Sequence, residues 1–165
     1  AVASAAIKVT VSGVLQIDIS ERTPTFIWRK DDVISVIDEK GKFIRLATSR
    51  LDYPELPLVI GEAANLSIAD ISSLMEDNKY FLDQVRAFVR VGERRWDLVL
   101  ENNLRIMLPQ TEFLAAFDRL MLMNHTGSLF SNQLSTIDMR LVERPTVRVG
   151  AVSVDPLMYN SSGDL

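Results

Sequence analysis

Short runs of alternating hydrophobic and polar residues dominate the first third of the chain. Two of these runs, residues 7–11 and 14–19, flank Ser12-Gly13. A turn dipeptide between alternating runs is typical of a β-hairpin, so we predict one here. Three more short strands are predicted from the same pattern, at residues 25–29, 33–38 and 43–47.

The pattern then changes twice before the middle of the chain. Residues 52–65, DYPELPLVIGEAAN, contain two prolines and predict a loop with one short apolar insertion. Ser67 predicts the start of a helix that ends near residue 77, with Asp70 as the partner of a capping box. A short helical turn is predicted at 80–84.

Alternation resumes between residues 85 and 108, where Gly92-Glu93 and Asn102-Asn103 interrupt it. Three strands joined by two tight turns predict an antiparallel meander. Trp96 shares its face with leucines and is expected in the core. Asp97 and most arginines fall on the opposite face, which is expected to face solvent.

A second main helix is predicted after the meander, with Thr111 as its cap and Gly127 as its C-terminal stop. Its apolar positions recur at helical spacing. They are Phe113, Leu114, Phe117, Leu120 and Met121. Together the elements predict an α+β fold, a mostly antiparallel β-sheet with two main helices on one side.

The final periodic segment, residues 137–149, predicts one extended strand. Arg140, Arg144 and Arg148 recur at four-residue spacing and would line up on one face, where they would suit an acidic partner. Pro145 predicts an edge position, because proline cannot donate to a central ladder. Two interpretations stay open: an edge that binds another strand, or an edge protected by its own charges.

The composition narrows the function classes. The 165 residues include 18 Lys and Arg against 22 Asp and Glu, a net charge of −4. Nucleic-acid binding usually needs a concentrated basic face, so this balance argues against it. The absence of cysteine excludes disulfides, thiolate metal sites and cysteine nucleophiles. Any membrane anchor is expected outside this sequence, because no run approaches the ~20 apolar residues of a spanning helix.

Candidate catalytic residues are few. The single histidine, His125, follows the second predicted helix, where the helix dipole favours a charged imidazole rather than a catalytic base. A single histidine and no cysteine cannot supply the ligands of the common zinc sites, so these sites are excluded. No phosphate-binding, nucleophile-elbow or dinucleotide motif occurs, so no metal or cofactor is expected. Carboxylates are plentiful, which leaves an acid-pair hydrolase as an alternative.

Five segments, in this order, resemble the periplasmic part of the FtsQ/DivIB family of bacterial cell-division proteins, in its alphaproteobacterial form. The segments are LQIDISERTPTFIW, VIDEKGKFI, LPLVIGEAA, VGERRWDLVLENNLRIMLP and STIDMRLVERPTVRV. The similarity extends from about residue 2 to residue 150. It is specific because all five segments occur in the order of the family.

The resemblance implies a single-pass protein of the bacterial inner membrane, with a POTRA domain and then a β domain on the periplasmic side at the division septum. Residues 1–22 would be the end of the POTRA domain, 23–150 the β domain and 151–165 a polar tail. It further implies a scaffold without catalytic activity. Its partners would be FtsB and FtsL, and through them the septal peptidoglycan synthase.

In the family, FtsB adds a strand to the last strands of the β domain. By position, Asp138-Met139-Arg140 matches the family's DLR, so Arg140 is the expected salt-bridge donor to an acidic residue of FtsB. Leu141 and Val149 stand where better-known relatives carry an aromatic residue and a tryptophan, and Arg94 falls near a partner-contacting arginine. The expected partner-binding residues are Arg94, Arg140, Leu141, Val142, Arg144, Val147, Arg148 and Val149.

An alternative from a different class is a periplasmic domain that binds cell-wall glycan, or hydrolyses it with carboxylates. It would act through Trp28 or Trp96 and would need a concave pocket with converging acids.

Overall fold

A computed structural model describes residues 1–10, 13–124, 129–130 and 133–150 of the chain. The predicted hairpin is confirmed: β1 (Val2–Val9) and β2 (Leu15–Glu21) pair antiparallel in a two-stranded sheet of their own. The guanidinium of Arg22 lies 2.5 Å from the carboxylate of Asp38. This ion pair links the end of the hairpin to the rest of the protein.

The remaining strands of the described chain form one mixed sheet of nine strands, in the order β11-β10-β9-β8-β7-β6-β3-β4-β5. Five neighbouring pairs are antiparallel and three are parallel, so the predicted α+β class with a mostly antiparallel sheet is confirmed. The strands are β3 (Phe26–Lys30), β4 (Val33–Ile37), β5 (Phe43–Leu46), β6 (Leu58–Ile60), β7 (Val85–Val91), β8 (Arg95–Leu100), β9 (Arg105–Met107), β10 (Leu134–Asp138) and β11 (Thr146–Val149).

Strand β6 corrects the prediction of a loop at residues 52–65. It is a central strand that runs parallel to both β3 and β7, and Val59 is fully buried in it. Its three residues are all apolar, so the sequence shows no alternation there: Val59 faces the core, whereas Leu58 and Ile60 on the other face line a groove. Pro57 lies just before the strand, where its carbonyl accepts the N–H of Ile27 at 3.0 Å.

The two main helices are α1 (Ile68–Asp77) and α3 (Phe113–Met123), separated in the chain by the short α2 (Lys79–Leu82). Single 3₁₀ turns occur at Arg50–Asp52 and Ala64–Ser67. No helix in the described ranges is long and apolar enough to span a bilayer.

The capping box predicted for α1 is wrong. Ser67 does precede the helix, but its side chain makes no capping hydrogen bond. The carboxylate of Asp70 instead accepts hydrogen bonds from Nε1 of Trp96 at 3.0 Å and from Arg90 at 3.4 Å. A buried indole N–H needs an acceptor, and this tertiary contact replaces the local one.

The predicted cap of α3 is also wrong. The helix begins after Glu112 rather than Thr111, and Glu112 takes a left-handed conformation with φ of 56° and no side-chain cap. The predicted stop at Gly127, and with it His125, lies outside the described residues.

One hydrophobic core lies between the helices and one face of the sheet. Trp96 is only 1% exposed, as predicted, and the rings of Phe81 and Phe117 meet edge to face at 5.2 Å. The sheet contributes Phe26, Ile37, Val59, Phe88, Trp96, Leu98, Ile106 and Ile137, and the main helices contribute Ile68, Ile71, Leu74, Ala116, Phe117 and Leu120. We call this side of the sheet the helix face.

The opposite side, here called the open face, is defined by one row of neighbouring positions on β7 to β11. The row consists of Ala87, Val99, Arg105, Thr136 and Arg148. The predicted solvent exposure of Asp97, which also belongs to the open face, is wrong: the residue is 0% exposed. Two arginines cover it, an arrangement that alternation alone cannot reveal.

The prediction of one continuous strand at residues 137–149 is wrong as well. The segment contains the end of β10, a turn at 139–145, and β11, which folds back antiparallel with Ile137 opposite Val147. The carboxylate of Asp138 accepts the backbone N–H of Arg140 at 3.0 Å, which is typical of an aspartate that turns the chain. Pro145 closes the turn and is not part of a strand.

Candidate partner-binding edge

Strand β11 lies at the end of the nine-stranded sheet, so the edge position predicted for the C-terminal segment is confirmed for β11. The N–H of Gly150 donates to the carbonyl of Gln133 at 2.7 Å, on the side of β10. Backbone groups of alternate residues in a strand point to the same side. The N–H and C=O groups of Val147 and Val149 therefore point away from β10, toward the free edge, where they can pair with another strand.

Exposed apolar side chains accompany these backbone groups. Val147 and Val149 are 52% and 62% exposed, and both lie on the helix face because Val147 pairs with the core residue Ile137. Leu141, in the adjacent turn, is 69% exposed. An unpaired strand flanked by exposed apolar groups is the surface that strand addition requires.

Four arginines from different parts of the chain meet on the open face beside this edge. They are Arg95 of β8, Arg105 of β9, Arg140 of the turn and Arg148 of β11, and with Thr136 and Thr146 they line a pocket of about 500 Å³. Arg140 and Arg148 are among the binding residues predicted from the sequence, whereas Arg95 and Arg105 are not. Their positions in the meander had suggested only a solvent-facing side.

Asp97 lies beneath two of these arginines. Its carboxylate accepts hydrogen bonds from Nε of Arg95 at 3.2 Å and from Nε of Arg105 at 2.8 Å, and Nη2 of Arg105 lies 2.6 Å away. A buried carboxylate is stable only when charged donors satisfy it. Asp97 therefore fixes the position of both guanidinium groups on the open face.

Arg140 is held by a second aspartate. Its Nε donates to both carboxylate oxygens of Asp138 at 2.9 and 3.0 Å, and its Nη2 donates at 2.6 Å. The Arg140 side chain is still 48% exposed. These hydrogen bonds from Arg140 lower the pKa of Asp138 below its ordinary value, against the opposing effect of burial.

The Asp138–Arg140 pair predicts a pH-dependent contribution to stability. Asp138 has a folded-state pKa below its unfolded value of about 3.9, so its contribution is present above that pH and is lost as the pH falls through the folded pKa. We expect Asp138→Asn to lower the free energy of unfolding by up to about 1 kcal/mol at pH 7, because the pair is partly exposed. The difference from wild type should close as the pH falls below the unfolded value and through the lowered folded-state pKa.

Urea unfolding of both proteins across this pH range measures the difference. Asp32→Asn, which alters an exposed carboxylate in the β3–β4 turn, is the matched control and should change stability little. A gap between Asp138→Asn and wild type that stays constant from pH 7 to pH 2 would contradict the assignment.

The other predicted residues fall in two places. Arg144 is exposed and borders a smaller pocket together with Arg140 and Leu141, whereas Val142 packs against the core. Arg94 is exposed in the β7–β8 turn. The β7–β8 turn lies at the same end of the sheet as the 139–145 turn. The N–H of Met139 donates to the carbonyl of Met107, and Met107 stands opposite Asp97 near the start of β8.

The tryptophans do not form a sugar-binding surface. Trp96 is buried, and Trp28 packs against the core and donates from Nε1 to the carbonyl of Gly61 at 2.9 Å. A groove of about 1040 Å³ on the open face does contain carboxylates. Its lining includes Glu55, Asp83 and Glu101 beside Arg29, Arg50 and Arg86, and neither tryptophan borders it.

Comparison with known proteins identifies related chains. The family model "Cell division protein FtsQ/DivIB, C-terminal" matches residues 26–140. The cell division protein FtsQ of Dinoroseobacter shibae is 35% identical over 157 residues, which are 95% of this chain and 53% of that protein. FtsQ of Jannaschia sp. is 36% identical over 157 residues, or 94% and 50% of the two chains. FtsQ of Rickettsia prowazekii is 32% identical over 124 residues, or 75% and 46%. The chain thus spans about half the length of these relatives.

Proposed function

Because the chain belongs to the FtsQ/DivIB family of cell-division proteins, we propose that it acts as a non-enzymatic scaffold of the divisome whose strand β11 captures a strand of FtsB. The observation that carries the proposal is the free edge of β11. Its outward backbone groups at Val147 and Val149 are the donors and acceptors that an added strand needs.

The side chains around the edge support this role. Leu141, Val147 and Val149 are exposed and offer apolar contacts to the added strand. Arg140 donates from Nε and Nη2 to Asp138, and its Nη1 makes no hydrogen bond within the described residues, so Nη1 can donate to an acidic group of FtsB as well. Arg144 would contribute at the rim of the turn.

Two further residues take different roles in the proposal. Val142 would act indirectly, by anchoring the turn to the core. Arg94 would make a separate contact at the same end of the sheet, beyond the edge itself. Contacts at a polar rim affect affinity less than those at a buried centre, so we expect Arg94 to matter less than β11.

We also propose the domain order and location of the whole protein. Residues 1–22 would end a POTRA domain, 23–150 would form the β domain and 151–165 would be a polar tail. A membrane helix upstream of this sequence would anchor the protein, with the β domain on the periplasmic side of the inner membrane at the septum. FtsL would join through FtsB, and the pair would connect the scaffold to the septal peptidoglycan synthase.

Hydrogen exchange tests the proposal directly. In the free protein the amides of Val147 and Val149 point to solvent and should exchange rapidly. On addition of the periplasmic FtsB–FtsL pair, we expect their exchange to slow by at least about tenfold, because each N–H becomes hydrogen-bonded to the added strand. The edge strand at the other end of the sheet, Phe43–Leu46, is the internal control and should not change.

Unchanged exchange at Val147 and Val149 in a complex that co-elutes on gel filtration would contradict the proposal. In that case FtsB and FtsL would bind another surface. Slowed exchange at Phe43–Leu46 instead would assign binding to the opposite edge.

A further inference from the structure

The two faces of β11 differ in chemistry. Thr146 and Arg148 point to the open face, and Val147 and Val149 point to the helix face. Side chains that stand opposite each other on adjacent strands share a face of the sheet. A strand paired with β11 therefore places every second side chain beside arginines and the others beside valines.

The open face at this edge carries an excess of positive charge. Arg148 stands opposite Thr136, which stands opposite Arg105, so the two arginines flank one threonine across three strands. Among the described residues around the pocket, the four arginines Arg95, Arg105, Arg140 and Arg148 face two carboxylates, those of Asp97 and Asp138. Two positive charges are left uncompensated within this pocket.

Of these four arginines, Arg148 is the one that forms no ion pair with a carboxylate of the described residues. Arg95 and Arg105 are bound to Asp97, and Arg140 is bound to Asp138. The side chain of Arg148 makes no ion pair in the described part of the chain, and the residue is exposed. It is therefore the group on β11 that is free to bind an incoming carboxylate.

The helix face at the same edge has the opposite character. Val147 and Val149 continue the apolar rows that start in the core, since Val147 stands opposite Ile137 and Ile137 opposite Ile106. Both valines are more than half exposed. Apolar side chains of an added strand would extend the core by one more strand on this side.

We infer that β11 selects a partner strand in which acidic and apolar side chains alternate, with an acidic residue beside Arg148 on the open face and apolar residues beside Val147 and Val149 on the helix face. The inference rests on the proposed capture of a strand at this edge and adds the chemistry and the register of that strand. A slip of one residue would place the carboxylate against the valines and an apolar group against Arg148, so the alternation also determines the register.

Affinity measurements with the periplasmic FtsB–FtsL pair test this selectivity. We expect Arg148→Gln to weaken binding about tenfold at low salt, because a charge-assisted contact is lost. Raising the salt to about 0.5 M should reduce the difference from wild type, since screening weakens the wild-type contact. Arg45→Gln, which alters an exposed arginine of the opposite edge strand β5, is the matched control and should stay within about twofold of wild type.

A charge-reversal experiment locates the partner residue. In Arg148→Glu, binding should fall further, and changing the acidic residues of FtsB to lysine one at a time should restore it at a single position. Restoration at one position supports the inference and identifies the register. Wild-type affinity in Arg148→Gln, or the absence of any restoring position, overturns it.

The two proposals fail in distinguishable ways. If Val147→Pro leaves affinity unchanged, strand capture at β11 is wrong, and this inference is wrong with it. If Val147→Pro weakens binding but Arg148→Gln does not, β11 binds a strand without selecting its open-face side chains. Strand capture is then supported, and only the present inference is wrong.

Discussion

Replacing Asp97 with alanine is expected to lower the free energy of unfolding by about 3–5 kcal/mol. The carboxylate is 0% exposed and forms ion pairs with two arginines, with Nε of Arg95 at 3.2 Å and Nη2 of Arg105 at 2.6 Å. The Arg95 side chain is itself only 17% exposed. Removal of the Asp97 carboxylate would leave the largely buried guanidinium of Arg95 without a partner. The cost of this unpaired charge exceeds the loss of the hydrogen bonds alone.

Urea unfolding of the Asp97→Ala variant measures this loss. Adding Arg95→Met to that variant should restore part of the stability, because it removes the charge that was left unpaired. Asp138→Asn is the comparison for a partly exposed pair and should cost far less. A loss below about 1 kcal/mol in Asp97→Ala would show that solvent or a neighbouring group compensates the two arginines.

Val147→Pro is expected to weaken binding of the periplasmic FtsB–FtsL pair by about tenfold to hundredfold. The substitution removes an N–H that points away from β10, so an acceptor on the added strand loses its donor. An unsatisfied backbone group at an interface costs about 1–3 kcal/mol, which corresponds to this range of affinity.

The same substitution should hardly affect folding. Proline is tolerated at an edge strand when its nitrogen faces away from the sheet, so we expect a change in unfolding free energy below about 1 kcal/mol. Val147→Thr keeps the N–H and the branched shape and should bind much more tightly than Val147→Pro. Equal affinities of the proline and threonine variants would mean that backbone pairing at β11 does not contribute to binding.

The position of Asp97 connects these two predictions. It holds Arg95 and Arg105 on the open face, two strands and one strand away from β10, while β11 provides the backbone groups of the edge. If the proposed recognition is correct, stability and partner binding share one group of arginines around this pocket. A variant that disturbs Asp97 should reduce affinity as well as stability, whereas Val147→Pro should reduce affinity alone.

Several features follow from local sequence and were predicted correctly. Alternation identified the first hairpin and the meander that became β7, β8 and β9. Helical spacing identified α1 and α3, and the apolar face of the meander placed Trp96 in the core. These predictions succeed because the period of the side chains depends only on the local backbone conformation.

Other features depend on contacts between distant residues. Strand β6 is three residues long and has no pattern of its own; its neighbours β3 and β7 make it a strand. The Asp70 carboxylate binds Trp96, 26 residues away, instead of capping its own helix. In both cases a tertiary hydrogen bond satisfies groups that local rules assign elsewhere.

The candidate edge shows the same division. The sequence by itself determined that the C-terminal segment contains β-strand, is rich in arginine and supplies an edge of the sheet. Only the tertiary structure decided that the segment folds back at Asp138, that β11 alone is the edge, and that Arg148 joins Arg95 and Arg105 on the open face. The reason is that strand pairing sets which side chains become neighbours, and pairing depends on residues from the whole chain rather than on the spacing within one segment.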